Sequence, residues 1–185
     1  MPRIRPLAPD QVIGPARAEV DRQLAAHGRV TNMKRTLAHS HVALRALMEW
    51  YALEAEVKPF LGERATNVFV HAISAQTDCL ICSTFFRRLL IQAGENPDTM
   101  ALDETEKLLV DFGRQLAVDS NAVSDELYAA LASRFTPEQI VTLTAFGALM
   151  IATNVFNNAL AVDLDEYLGP FAPGASTPPT KEKSP

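Results

Sequence analysis

The placement of proline limits what this chain can fold into more than any other feature. Of its 12 prolines, four fall in the first 15 residues and five lie from Pro170 to the end. Only Pro59, Pro97 and Pro137 interrupt what lies between. Proline lacks a backbone donor and clashes with the preceding helical turn, so it excludes helix interiors. The proline-poor middle is therefore free to be helical and the ends are arms. This divides the chain into an N-terminal arm (1–14), a helical domain (15–170) and a Pro-rich tail (171–185). The tail has almost nothing to bury after Phe171 and reads as disordered. The arm carries Ile4, Leu7, Val12 and Ile13, which can pack on the body or on a neighbouring subunit.

Within the middle, stop and start signals mark one helix after another. Pro15 opens a helix that Gly28 closes. A turn or two follows over 33–38. Ser40 caps a helix from His41 to Glu56, with Val42, Leu44, Leu47, Met48 and Tyr51 as its stripe. Pro59 and Gly62 break the chain, and 63–75 resumes it. The next helix starts near Cys79, with Thr77 or Asp78 as its cap, and ends at Gly94. Asp103-Glu-Thr-Glu106 has the form of a capping box. Ser124 caps a short helix holding Leu127, Leu131 and Phe135. Thr136-Pro137-Glu138-Gln139 combines a cap, a proline at N1 and a glutamine at N3, opening a helix that reaches toward Asp163. Its stretch from Leu143 to Phe156 is apolar nearly all round, which predicts burial at the centre or across a subunit interface. No period-2 alternation competes, so the expected class is all-α, in an oligomeric helical bundle.

Composition removes several functions. The chain has 185 residues, 48% hydrophobic and 21% charged, with a net charge of −5. The pI is about 5.4. Such a balance offers no basic footprint for nucleic acid. The start, MPRIRPLAPDQVIGPAR, has no continuous apolar h-region. The most apolar stretch carries Thr144, Thr153 and Asn154 and falls short of a bilayer span. The expectation is a cytoplasmic protein with no membrane and no nucleic-acid partner.

One motif carries chemistry. Cys79-Leu80-Ile81-Cys82 holds both cysteines of the chain. At i and i+3 near a helix start, two thiols share one face within disulfide reach. Unpaired N–H groups and the positive dipole end there favour thiolate, the nucleophilic form. Three other readings stand beside a redox pair: two buried apolar cysteines, half of a zinc site completed by His39 and His41, and a static disulfide. Two residues could aid proton transfer or support the thiolate. His71 precedes Cys82 by eleven residues, about 16 Å along a straight helix, so a break near 76–78 would have to fold that distance down. Arg87 lies one and a half turns past Cys82, next to Arg88. Trp50 and Tyr51 read as core. Asn157 and Asn158 are amides in an apolar helix, and buried amides need partners.

Several segments in order now resemble a known family. Thr31-Asn-Met-Lys-Arg-Thr-Leu-Ala-His-Ser40 is similar to the opening segment of the alkyl hydroperoxidase D-like (carboxymuconolactone decarboxylase-like) family. His71-Ala-Ile-Ser-Ala-Gln-Thr-Asp-Cys79 resembles its helix leading into C-x-x-C. The segments 129–140 and 156–163 resemble its last two helices, and the resemblance covers about residues 30–165. It implies an all-α bundle assembled as a dimer, trimer or hexamer. It implies a C-x-x-C that cycles between dithiol and disulfide, reducing peroxides or exchanging electrons with a peroxiredoxin or thiol reductant partner. By the family pattern Cys82 attacks and Cys79 resolves, although exposure at a helix start argues the reverse. No cofactor and no metal are expected.

The departures are specific. The peroxidase branch has a Glu twelve residues before the first cysteine and a His four after the second, which together relay a proton. Here those positions hold Asn67 and Phe86, and the residue before the second cysteine is Ile81 where a His is common. Neither an amide nor a phenyl ring moves protons at neutral pH. The resulting expectation is a C-x-x-C thiol–disulfide oxidoreductase without that relay. The alternative is a non-catalytic oligomeric protein that senses redox state or binds a partner.

Overall fold

The computed structural model describes residues 1–175. Their regular structure is helical: α1 (Gly14–His27), α2 (Asn32–Leu37), α3 (His41–Met48), α4 (Trp50–Gln76), α5 (Leu80–Gln92), α6 (Glu104–Val118), α7 (Asp125–Ala132) and α8 (Pro137–Leu160). No strand occurs among the described residues. Helix α4 is the centre, packed against α5, α6 and α8. Its Phe69 and Ile73 are fully buried with Leu109, Leu143 and Phe146. Fully burying one such side chain contributes about 1.5–3 kcal/mol. The helices approach closely because α6 and α8 each offer a glycine to that centre. A Cβ at Gly113 would meet Ile73 Cγ1 at 3.0 Å, and one at Gly147 would meet the Phe69 ring at 3.0 Å.

Local chemistry sets the ends. The Asp103 side chain accepts from the Glu106 N–H at 2.8 Å, and Glu106 accepts from the Asp103 N–H at 3.0 Å. Glu106 is buried and also bonded to Arg64, so its charge is matched. The Thr136–Gln139 box forms in the same reciprocal way.

Three expected boundaries moved. The helix predicted over 41–56 breaks at Glu49 instead. Helix α4 then runs through Pro59 and kinks at Gly62, whose φ of 79° only glycine adopts without strain. Pro59 therefore lies inside a helix rather than ending one. Helix α8 stops at Leu160. It is not buried all round either. Leu143, Phe146, Met150 and Asn157 face inward, while Val141 and Val155 are exposed. Its length and mean hydropathy of 1.6 are sufficient for a bilayer span, but a third of that apolar window is buried against the other helices.

The arm packs on the body. The Arg3 N–H donates to the Leu160 carbonyl at 2.9 Å, and the Leu7 N–H to Arg35 at 3.2 Å. Val12 is buried with Val20, Leu37 and Leu44 in a second small core. At the other end, a 3-10 segment (Glu166–Phe171) buries Leu168 and Phe171. Most of the predicted disordered tail, 176–185, lies outside the described residues.

Candidate active site

Helix α4 ends where the thiols begin. Asp78 has a φ of 51°, a left-handed conformation that Asp tolerates better than most residues. This turns the chain so that the Cys79 N–H reaches back to the Ser74 carbonyl at 3.0 Å. Cys79, not Thr77 or Asp78, is the N-cap of α5, and Cys82 stands in the first turn. Both are free thiols, and the two cysteines approach to 3.4 Å.

Helix α8 clasps this turn with three asparagines. The Asn154 amide donates to Thr77 Oγ1 at 2.8 Å, and Asn158 donates to the Thr77 carbonyl at 2.8 Å. Asn157 reaches the sulfurs themselves. Its Nδ2 lies 3.3 Å from Cys82 Sγ, 3.8 Å from Cys79 Sγ and 3.5 Å from Met33 Sδ. An amide N–H directed at sulfur favours the thiolate over the thiol.

The two thiols titrate as a unit. Hydrogen bonding from the Cys82 thiol pulls Cys79 down to about 7 against the effect of burial, with the Cys82 and Ile81 backbone amides and Asn157 adding to it. The same interaction, with burial, pushes Cys82 well up. One proton thus leaves the pair easily and the second is held between the sulfurs.

Access is unequal. Cys79 is 0% exposed and Cys82 5%. Cys82 forms part of the wall of a cavity of about 80 Å³, together with Lys34, Trp50, Phe85, Phe86 and Tyr167. That is room for several waters or the reacting end of a small organic molecule.

The structure brings together only part of the expected set. Cys79 and Cys82 meet, whereas His71 and Arg87 belong to a separate polar cluster and do not line the cavity. Arg87 makes two bonds to Asp98, of 2.6 and 2.5 Å. Burial, Arg87 and Arg114 hold His71 below its usual pKa. The chain break at 77–79 does not carry His71 to Cys82, because the ring faces this cluster. His39 bonds the Arg5 carbonyl at 3.0 Å, and no group of three or more metal-ligating side chains occurs among the described residues. Phe86 walls the cavity with its ring 5.9 Å from Trp50. Asn67 is buried in α4 with Oδ1 unpartnered.

Sequence reasoning missed Lys34 and Asn154. Each left a signal. Lys34 interrupts the apolar set Val30, Leu37 and Ala38, and Asn154 sits in the buried stripe of α8. A polar residue in a stripe that must be buried needs a reason.

Comparison with known proteins gives a fold. No family model matches the chain, and no curated protein matches it. Among solved structures, it is similar to the alkylhydroperoxidase AhpD core of an uncharacterized peroxidase-related protein from Ralstonia eutropha JMP134. The TM-score is 0.71 at 18% identity, over 91% of this chain and 95% of that one. The helices that hold the dithiol are thus arranged in an AhpD-like fold.

Proposed function

We propose that the chain is a dithiol oxidoreductase that reduces small organic hydroperoxides. The observation that carries this is an acidified thiol pair whose second member, Cys82, opens into a mostly apolar cavity. Cys82 is the attacking sulfur because it alone of the two lines that space. Cys79 ionises first, and its thiolate accepts the Cys82 proton across the 3.4 Å gap as Cys82 attacks. Cys82 Sγ then bonds to the terminal oxygen of the hydroperoxide, the O–O bond breaks, Cys82 becomes a sulfenic acid, and the departing alkoxide takes up a proton and leaves as the alcohol. Cys79 displaces hydroxide from it, giving the disulfide and water. An external dithiol, or a thiol reductant or peroxiredoxin partner, supplies the two electrons that restore the pair.

The reading carries a reducing, cytoplasmic location, where free thiols persist. It also carries a homo-oligomer built on the outer face of α8, where Val141, Ala145, Ala148, Ala152 and Val155 are exposed. A second reading, a redox sensor without turnover, is favoured by Phe86 in the cavity wall where a proton carrier would serve a peroxidase.

Steady-state consumption of tert-butyl hydroperoxide with dithiothreitol separates the two. Cys82→Ser and Cys79→Ser should each abolish turnover. The Cys79→Ser protein, lacking both the proton acceptor and the resolving thiol, should form a sulfenic acid on Cys82 more slowly and keep it, trapped by dimedone. Turnover unchanged in Cys82→Ser removes the peroxidase reading. A pair that oxidises reversibly but never turns over selects the sensor.

A further inference from the structure

The cavity wall holds a cation that the thiol chemistry above leaves unused. Lys34 is 3% exposed. Its Nζ donates to the neutral amide oxygen of Gln23 at 2.7 Å, and lies 4.9 Å from the Tyr51 ring centroid. Neither partner is a counter-ion. The nearest carboxylate link is indirect, through Gln23 Nε2 to Glu19 Oε1 at 3.1 Å. Burying an ammonium whose carboxylate neighbour, Glu19, acts on it only from beyond Gln23 is costly. A buried cation of this kind in the wall of the cavity that holds Cys82 is a candidate for action on what enters it.

The rest of the wall has matching capacity. Asp165 Oδ1 accepts from the Asn32 N–H at 2.9 Å, while Oδ2 is buried and unpartnered. Trp50 Nε1 is likewise buried without a partner. The charged and titratable groups around Lys34 are Glu19 and His27 of α1, Tyr51 of α4, Cys82 of α5, and Asp165 and Tyr167 at the 3-10 segment. Among the described residues, no other lysine or arginine lines the cavity.

Building on the peroxidase reading, we propose that Lys34 is the acid of this cavity, giving its proton to the oxygen that departs when Cys82 attacks. As the O–O bond breaks, its electron pair goes to the alkoxide oxygen. A proton moves from Lys34 Nζ to that oxygen, and the product leaves as a neutral alcohol. Lys34 is then a neutral amine, which regains its proton from solvent before the next cycle. This supplies from α2 the proton transfer that Phe86 cannot perform on α5. Burial also holds Lys34 down to about 8, so the ammonium can release its proton near neutral pH.

The test uses full-length protein with tert-butyl hydroperoxide and dithiothreitol over pH 6–10, with Lys34→Met and Lys34→Arg checked for folding by thermal melting. The wild-type rate should fall above about pH 8. Lys34→Met should lose about 100-fold at pH 7 and lose the alkaline fall with it, as removal of an acid catalyst does. Lys34→Arg keeps the charge but cannot release a proton. It should lose the rate too, yet keep the wild-type preference of Cys82 for iodoacetate over neutral iodoacetamide. Equal rates and pH profiles in wild type and Lys34→Met overturn the proposal, and so does full activity in Lys34→Arg. A wild-type protein inert to peroxide overturns the peroxidase reading and the leaving-oxygen step together. The alkylation preference then still reports on Lys34 alone: its loss in Lys34→Met supports Lys34 as the cation acting at Cys82, and its persistence removes that role.

Discussion

At the scale of single residues, Asn157 is the side chain outside the pair that reaches both thiols. One amide faces three sulfurs, and two of them belong to the reactive pair. Leucine at this position would keep the volume and remove the donor. In Asn157→Leu, the pH midpoint of thiolate ultraviolet absorbance should rise above about 7, by only part of the distance to the ordinary thiol range near 8.5, because the larger hydrogen bond from Cys82 remains. An unchanged midpoint would mean that Cys82 and the helix start suffice. Sequence alone marked Asn157 as a buried amide in want of a partner but could not name the partner, which lies 75 residues away. Cys79 and Cys82 were legible because their spacing is local. Lys34 was not, because its cavity forms only when α2, α4, α5 and the C-terminal 3-10 segment converge.

Helix starts were read well where a side chain makes the cap. Asp103, Ser124 and Thr136 each accept a backbone N–H as their sequence patterns predict. Breaks were read less well, since they depend on packing. The break at Gly62 was read correctly, whereas Pro59 lies inside α4 and Glu49 breaks the chain without any Pro or Gly. The contact between α4 and α8 has its own test. In Gly147→Ala the new methyl would meet Phe69, Ile73 and Leu116 at 3.0–3.2 Å. Phe69 and Ile73 are fully buried and cannot yield. The substitution should cost about 1–3 kcal/mol, read as a lower midpoint in urea unfolding. An unchanged midpoint would show that α4 and α8 can move apart freely.

Across the whole molecule, the buried lysine ties stability to pH. An unfolded lysine holds its proton to about 10.5, whereas the folded Lys34 gives it up near 8. Between those values the unfolded state binds more protons, so this residue makes the fold more stable as pH rises. Below about 8 both states are protonated and the penalty is fully present. The stability difference between Lys34→Met and wild type should therefore narrow from pH 8 to pH 10, changing by about 3 kcal/mol over the full window. A difference that stays constant with pH would mean that Lys34 is solvated in the folded state.

Two sulfurs shut inside a helical body, with one of them looking into a chamber a few waters wide, make the protein a sieve before it is a reagent. A flat globular surface meets little of Cys82, which is 5% exposed and looks into the cavity. The chamber has room for the reacting end of a small oxidant. Whatever restores the thiols must present an end slender enough to follow it in. Discrimination between oxidant and reductant would then be set by the width of a doorway, with the reactivity of either sulfur coming second.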